Sequence, residues 1–364
     1  MIPMDNKERI ELLKGTSGMQ AGTSAPGGMV NYVIKRAPGN AEQPIRNITL
    51  SYGEGNNRLA AADLGGRFGN EAEFGYRFNI AHEDLDPYIK NTKGHRDLVA
   101  LAMDWRLSAS SKLEWEFEQS HREQIGVNGY SLLGDTLPAP VNGTRNITRQ
   151  PWSPPGVFDG LTASVRFKQV LESGWLWTTQ YGMQRLRADD RLAFAFGCTD
   201  GATYLSDRYC SNGNFDLYDY RSENERRSTD ALQTEFSGSE VLAGFKHDLN
   251  FTLMRYSQIN RLDPMYAGYS PLANPGNIYL DTANSPSPAP TEVNTNRTDY
   301  TNEFGFKDRV YLTQKTTAWL GLRHLQMNRQ SINTDVTEPT QDQRSITTPW
   351  VALSHALDQS VTVY

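Results

Sequence analysis

The chain has 364 residues, a net charge of −6, 38% hydrophobic and 10% aromatic residues, and a mean hydropathy of −0.60. That length holds two ordinary domains or part of one large β structure, and the mildly acidic balance gives no global electrostatic reason to bind nucleic acid. No run of 18 apolar residues occurs, which excludes a transmembrane helix but not a transmembrane β-barrel, whose alternating lipid-facing and lumen-facing residues average to a soluble-looking hydropathy.

The first residues, MIPMDNKERIE, lack the basic flank, apolar stretch and small-residue cleavage site of a signal peptide, so an exported protein of this kind is expected to carry sequence ahead of them. The stretch Lys14 to Gly39, KGTSGMQAGTSAPGGMVNYVIKRAPG, is rich in glycine. It is not a P-loop, which needs G-x-x-x-x-G-K-[ST]: Gly22 is followed by Thr23 and Ser24, and Gly28 by Met29 and Val30. The dinucleotide spacing G-x-G-x-x-G is absent too, and the glycines read as tight-turn residues that reach φ > 0 cheaply.

After Pro44 the pattern becomes period-two alternation, the mark of strands with two unlike faces. In KLEWEFEQSHR, Leu113, Trp115 and Phe117 oppose Glu114, Glu116, Glu118, Ser120 and Arg122. LTASVRFKQV, EFGYRFNIA and DLVALAMDWRL repeat the scheme, the last with Val99, Leu101, Met103, Trp105 and Leu107 on one face. The glutamate row reads as a hydrated lumen wall rather than as paired catalytic carboxylates. Asp189 and Asp190, beside Arg187 and Arg191, read as a solvated strand end or loop base.

Short turns are expected near 69–72, 108–112, 171–174, 238–244 and 312–316, and longer links near 84–96, 124–158, 188–227, 260–297 and 329–343. Short and long alternate, so one rim of an up-and-down sheet would hold tight turns and the other large loops, as in outer-membrane barrels. Trp105, Trp115, Trp175, Trp177, Trp319 and Trp350 would suit an interfacial girdle. The competing architecture is a soluble or surface β-sandwich, such as an adhesin, which would use the same residues as core aromatics.

The two cysteines, Cys198 and Cys210, share one polar loop, GCTDGATYLSDRYCSNGN. A disulfide in an oxidising compartment suits them, two free thiols being the other reading. The six histidines show no H-E-x-x-H or similar metal spacing, and no G-x-S-x-G elbow is present. No enzyme, cofactor or metal site is expected.

The blocks ERIELLKG (Glu8 to Gly15) and AGTSAPGGMVNYVIKRAPG (Ala21 to Gly39), followed at once by alternating strands, resemble the end of the plug domain of TonB-dependent outer-membrane siderophore receptors. The matching plug positions are Arg9, Glu11, Lys14, Gly15, Gly22, Pro26, Gly27, Gly28, Asn31, Lys35 and Arg36. The sequence departs from the family pattern at Ala21, Ile34 and Ala37, which bears on subfamily.

The resemblance implies an all-β fold: the C-terminal part of a plug domain at 1–42, then the N-terminal half of a transmembrane antiparallel barrel at 43–364. About twelve strands are legible, where a plugged transporter has about 22. The chain is therefore expected to be an internal fragment, inactive alone, without the TonB-contacting box.

In function, the resemblance implies binding and energy-dependent uptake of a ferric siderophore at the bacterial outer membrane. The implied partners are outer-membrane lipid and the TonB–ExbB–ExbD complex. Cobalamin, a glycan or another metal complex would be the alternative cargo. Lys14 would form half of an ionic contact between plug and wall. Tyr130, Trp152, Tyr204, Tyr209, Tyr218 and Tyr220 are the loop aromatics available to a ligand.

Overall fold

A computed structural model describes residues 2–14, 27–126, 131–139, 142–272, 274–281, 283–287 and 289–363. Its first two strands, β1 (Lys7–Lys14) and β2 (Gly28–Ile34), form an antiparallel pair of their own. Twelve long strands follow: β3 (Ile45–Tyr52), β4 (Arg58–Phe68), β5 (Phe74–Leu85), β6 (Gly94–Arg106), β7 (Ser111–Gln124), β8 (Gly156–Val170), β9 (Leu176–Ala195), β10 (Leu217–Leu242), β11 (Phe245–Arg261), β12 (Thr295–Tyr311), β13 (Thr316–Asn333) and β14 (Thr340–Ala356). A short β15 (Thr362–Val363) ends the series.

Every long strand pairs antiparallel with its neighbours in sequence, giving one continuous meander from β3 to β15. A sandwich would need two stacked sheets, and the long strands make one. Among the described residues β3 and β15 do not pair with each other, so the sheet is open.

Two-residue periodicity gives this sheet two chemistries. The register sets Leu64, Phe78, Leu101, Phe117, Ala163 and Met183 side by side on one face. Asp104, Glu114 and Arg166 form an equivalent row on the other. We call the first face outer and the second inner. Near the short-turn rim the outer face carries contacting aromatic rings: Phe68 on Phe74, Phe74 on Trp105, Trp177 on Phe236 and Phe251 on Phe306, with centroids 5.1–5.9 Å apart.

The tight turns are 69–73, 107–110, 171–175, 243–244, 312–315 and 357–361, all at one rim. The opposite rim holds 53–57, 86–93, 125–155, 196–216, 262–294 and 334–339. Three of these links are much shorter than their sequence suggests. The ladder between β9 and β10 runs on through Ala195 and Leu217, with a bulge between Ala188 and Asp190. Asp189 and Asp190 thus lie within a strand, not at a loop base. Likewise 329–343 is mostly strand around a turn at 334–339, and 84–96 narrows to 86–93. Backbone pairing needs no apolar side chain, so the ladder outlasts the hydropathy alternation that announced it.

The tryptophans divide by parity. Trp105, Trp115 and Trp177 share the outer face with Met103, Val165 and Phe236. Trp319 and Trp350 lie on the inner face, since Leu322 and Val351 take the outer parity of their strands. Trp319 packs against the Arg309 guanidinium, 4.7 Å from the ring centroid, which corrects their assignment to an outer girdle.

Phe117 sits mid-strand on the outer face and is 42% exposed. If that face meets lipid, Phe117→Arg will destabilise a bilayer-embedded protein by about 2–4 kcal/mol near the midplane. Ser164→Asn, on the inner face, will change stability by no more than about 0.5 kcal/mol. Equilibrium unfolding from lipid vesicles measures both; equal cost at the two positions would contradict the assignment of faces.

Candidate functional site

The chain before and after the β1–β2 hairpin lies along the inner face of β4–β7. The two strands approach closely at Gly28, whose φ is +125° and where a Cβ would come within 2.3 Å of the Leu13 carbonyl oxygen. The two flanks are tied together, the Lys35 amide donating to the Asn6 carbonyl at 2.9 Å and Lys35 Nζ to the Asp5 carbonyl at 2.7 Å.

From these flanks charged groups reach the wall. Lys7 pairs with Glu118 on β7, and Asn6 Nδ2 donates to the same carboxylate at 2.7 Å. Arg36 pairs with Glu116. Lys35 meets Asp63 on β4 at 3.0 Å, and Asp63 also accepts from Arg77 Nη2 on β5 at 2.8 Å. Asp5 binds Arg96 of β6 at 2.6 Å, and Arg96 also pairs with Glu83. Backbone carbonyls take part as well: Arg77 donates to Arg36 O at 3.2 Å, Arg67 to Pro38 O at 3.3 Å and Arg106 to Gly39 O at 2.9 Å.

Behind this contact the wall carries its own ion pairs. Arg67 and Asp104 are joined at 2.6 Å with side chains 2% and 4% exposed. Glu114 sits among Lys112 at 2.8 Å, Arg166 at 3.3 Å and Lys168 at 3.7 Å. Gly75 makes the close approach possible, because a Cβ there would stand 2.5–2.7 Å from Asp104, Arg67 and Ala37 at once. A cavity of about 390 Å³ opens beside the segment, lined by Ile2, Met4, Arg122, Phe158, Leu186 and Asp190 among others, within the size range of small-molecule pockets.

The plug-motif positions fall in different places. Lys35 and Arg36 are in the wall contact. Arg9, Glu11 and Asn31 form a local cluster on the exposed hairpin, Glu11 accepting from Arg9 at 2.7 Å and Asn31 at 2.8 Å. Those bonds, Asn31's first, hold the Glu11 carboxyl below its ordinary range. Lys14 is exposed and has no ion-pair partner among the described residues; the wall contact on this strand is made by Lys7. Gly27 and Gly28 lead into β2, while Gly15, Gly22 and Pro26 lie outside the described residues. Sequence reading missed Asp5, Asn6, Lys7, Asp63, Arg77 and Arg96. The available signal was the charge on the polar parity of β4 to β7.

At the other rim the three longest links fold together around Ile147, Tyr209, Phe215, Leu217 and Ile278. Cys198 and Cys210 are joined by a disulfide, with Cα atoms 5.6 Å apart. Tyr209 is 2% exposed inside that core, so it packs rather than faces a ligand. Trp152 donates to the Ser285 carbonyl at 2.8 Å and lies under Arg221. Tyr218 stacks on Phe194 and Tyr220 meets Tyr266 edge-on. Tyr204 is 46% exposed. Desolvation, with a hydrogen bond to Tyr218, pushes its phenol up to about 12, leaving a neutral hydroxyl at physiological pH. Tyr130 lies outside the described residues.

No family model matches the chain. Over 148 residues it is 28% identical to the ferrichrome receptor FcuA of Yersinia enterocolitica, covering 38% of this chain and 19% of the relative. Over 122 residues it is 33% identical to the metal-pseudopaline receptor CntO of Pseudomonas aeruginosa, covering 34% and 17%. Among solved structures it is similar over 98% of its length to BauA, the ferric preacinetobactin receptor of Acinetobacter baumannii, with TM-score 0.79 and 22% identity. The siderophore receptor PiuA of the same organism gives TM-score 0.80 at 12% identity. These low identities carry the fold alone. The chain spans about half the length of both structures, 52% and 53%, and the sequence matches cover under a fifth of the curated relatives.

Two measurements probe the site. Asp63→Ala leaves Arg77 and Lys35 facing each other on a surface where their side chains are 10% and 23% exposed. Orphaning partly buried cations costs about 3–5 kcal/mol, so amide exchange of residues 34–37 will accelerate in that variant and remain slow in Glu11→Ala. For the outer links, closing a loop with sequence separation 12 contributes close to 3 kcal/mol in the chain-entropy picture. If the long links face out of an outer membrane, thiol labelling of cells displaying the protein will require a reductant and no permeabilisation; labelling only after permeabilisation would contradict that sidedness.

Proposed function

With the fold of the TonB-dependent siderophore receptors as premise, we propose that this chain serves in the binding of a ferric siderophore and its energy-dependent uptake across a bacterial outer membrane. Residues 1–42 act as the C-terminal part of a plug, and 43–364 as the N-terminal half of the barrel that surrounds it. The observation that supports this reading is the ionic contact of the N-terminal segment with the inner face of β4–β7, the contact a plug would make with the wall of a lumen.

On this reading the outer face meets lipid, the long links face outward, and exposed groups such as Tyr204 are available to the cargo. The role is binding and passage rather than catalysis. The plug must shift for the cargo to pass, and in the family that work is drawn from the TonB–ExbB–ExbD complex. Exchanging ion pairs for hydrated charges is a low-cost way to release a plug, because the Coulomb energy of a partly buried pair is largely offset by desolvation.

The test is uptake of radiolabelled iron, offered on ferrichrome and on a catecholate siderophore, by cells whose only siderophore receptor is the full-length protein. We expect uptake of at least one of them, abolished by a protonophore. A double substitution that reverses charge on both sides, Lys7→Glu with Glu118→Lys, is expected to retain more uptake than either single change. Iron uptake that is indifferent to the receptor's presence would refute the proposal.

A further inference from the structure

The outer face of β6 and β7 carries a cluster that the inner contact does not use. His95 on β6 stands directly across from Glu123 on β7, and His121 lies two residues before Glu123 on the same face. One ligand atom from each of the three lies within 4.8 Å of the others, and the His95 and His121 rings are 5.1 Å apart. Their strand ends adjoin the links 86–93 and 125–155, so the cluster sits beyond the apolar row, towards the long-link rim.

From this geometry we propose that His95, His121 and Glu123 form a divalent transition-metal site that clasps β6 to β7 on the outer face. Two imidazoles and one carboxylate are a donor set for Zn²⁺ and its neighbours, not for calcium or magnesium, which take oxygen shells. Metal–ligand bonds of about 2 Å put tetrahedral ligands roughly 3.3 Å apart, a gap that side-chain rotation closes from the present spacing. The Glu123 carboxylate makes no hydrogen bond or ion pair among the described residues.

A second feature points the same way. His121 Nδ1 lies 2.7 Å from Asp159 Oδ1 on β8, the carboxylate–imidazole arrangement that fixes the tautomer and turns Nε2 towards a metal. Asp97 lies 2.7 Å from His82 Nδ1 and 3.8 Å from His95 Nε2, and Asp84 is paired with His95 across the ladder. The surrounding carboxylates outnumber the cations, of which Arg187 opposite Asp159 is one, so a dication is favoured electrostatically. By strand parity the three side chains take the face opposite Glu116 and Glu118, which meet the N-terminal segment, so the site reads as a structural clasp.

The experiment uses the whole chain in detergent, stripped with chelator, then titrated with Co²⁺ by visible absorption and with Zn²⁺ by calorimetry. We expect one ion per chain, visible Co²⁺ bands of low-coordinate type, and a Zn²⁺-dependent rise in melting temperature. His95→Ala and His121→Ala should each weaken Zn²⁺ binding at least tenfold. The isosteric Glu123→Gln, chosen to preserve packing, should do the same while melting like the parent in chelator. His324→Ala, on the outer face of β13, should bind as the parent does. Stoichiometric binding that survives the His95→Ala, His121→Ala double change, or no stoichiometric binding in the parent, would overturn the site.

Discussion

The rest of the structure depends on an unbroken antiparallel ladder. From β4 to β13 each strand is paired on both sides, so its backbone polar groups are satisfied within the sheet, the condition for standing in a medium without water. Such a ladder also fixes parity. A slip of one residue in any strand would send its charges to the outer face and its apolar residues inward. The cost of that exchange, repeated along strands as long as the 26 residues of β10, makes the register definite.

Parity then decides where charge accumulates. On the inner face of β4 to β8, acids and bases occur together and are shielded where the N-terminal segment covers them. Further along, on β12 to β14, the same face carries Arg309 stacked between Tyr311 and Trp319, and Trp350 against Gly321. Ion pairs give a contact direction without a large gain in free energy. An apolar interface of the same extent would gain free energy with every area buried, whereas partly buried pairs repay little more than their desolvation. Register in the contact comes from many directed bonds: Asp63 serves both Lys35 and Arg77, and Arg96 both Asp5 and Glu83.

Much of this was legible in the sequence, for a physical reason. Where one face meets an apolar medium and the other meets charge, alternation is strong, and β5 to β8 could be read residue by residue. The reading failed where both faces turn polar, as in the ends of β9, β10, β13 and β14, because backbone pairing leaves no compositional trace there. It also missed the contact of Lys7. Lys14 and Lys7 both flank a hairpin strand and look alike in sequence, and only the path of the segment over the wall brings Lys7 to Glu118. The glutamate row of β7 was read as a hydrated lumen wall, and two of its members, Glu116 and Glu118, meet the N-terminal segment directly.

The long-link rim follows a different logic, since its chain has no ladder to satisfy it. The three large links substitute a small core of their own, and cross-bonds then hold them together. Arg145 donates to the Ile278 carbonyl, while Gln150 accepts from the Ser285 amide and Trp152 donates to the Ser285 carbonyl. Aromatic residues used in this way are lost to recognition: Tyr209 and Phe215 are enclosed. What the rim offers to an approaching molecule is the remainder, and there the exposed Tyr204, Tyr279 and Leu280 stand on a scaffold already ordered by its core and by the Cys198–Cys210 bridge. Ordering in advance lowers the entropy that binding must overcome, so if a ligand is taken up at this rim, as proposed above, the apolar packing of these links would favour its binding.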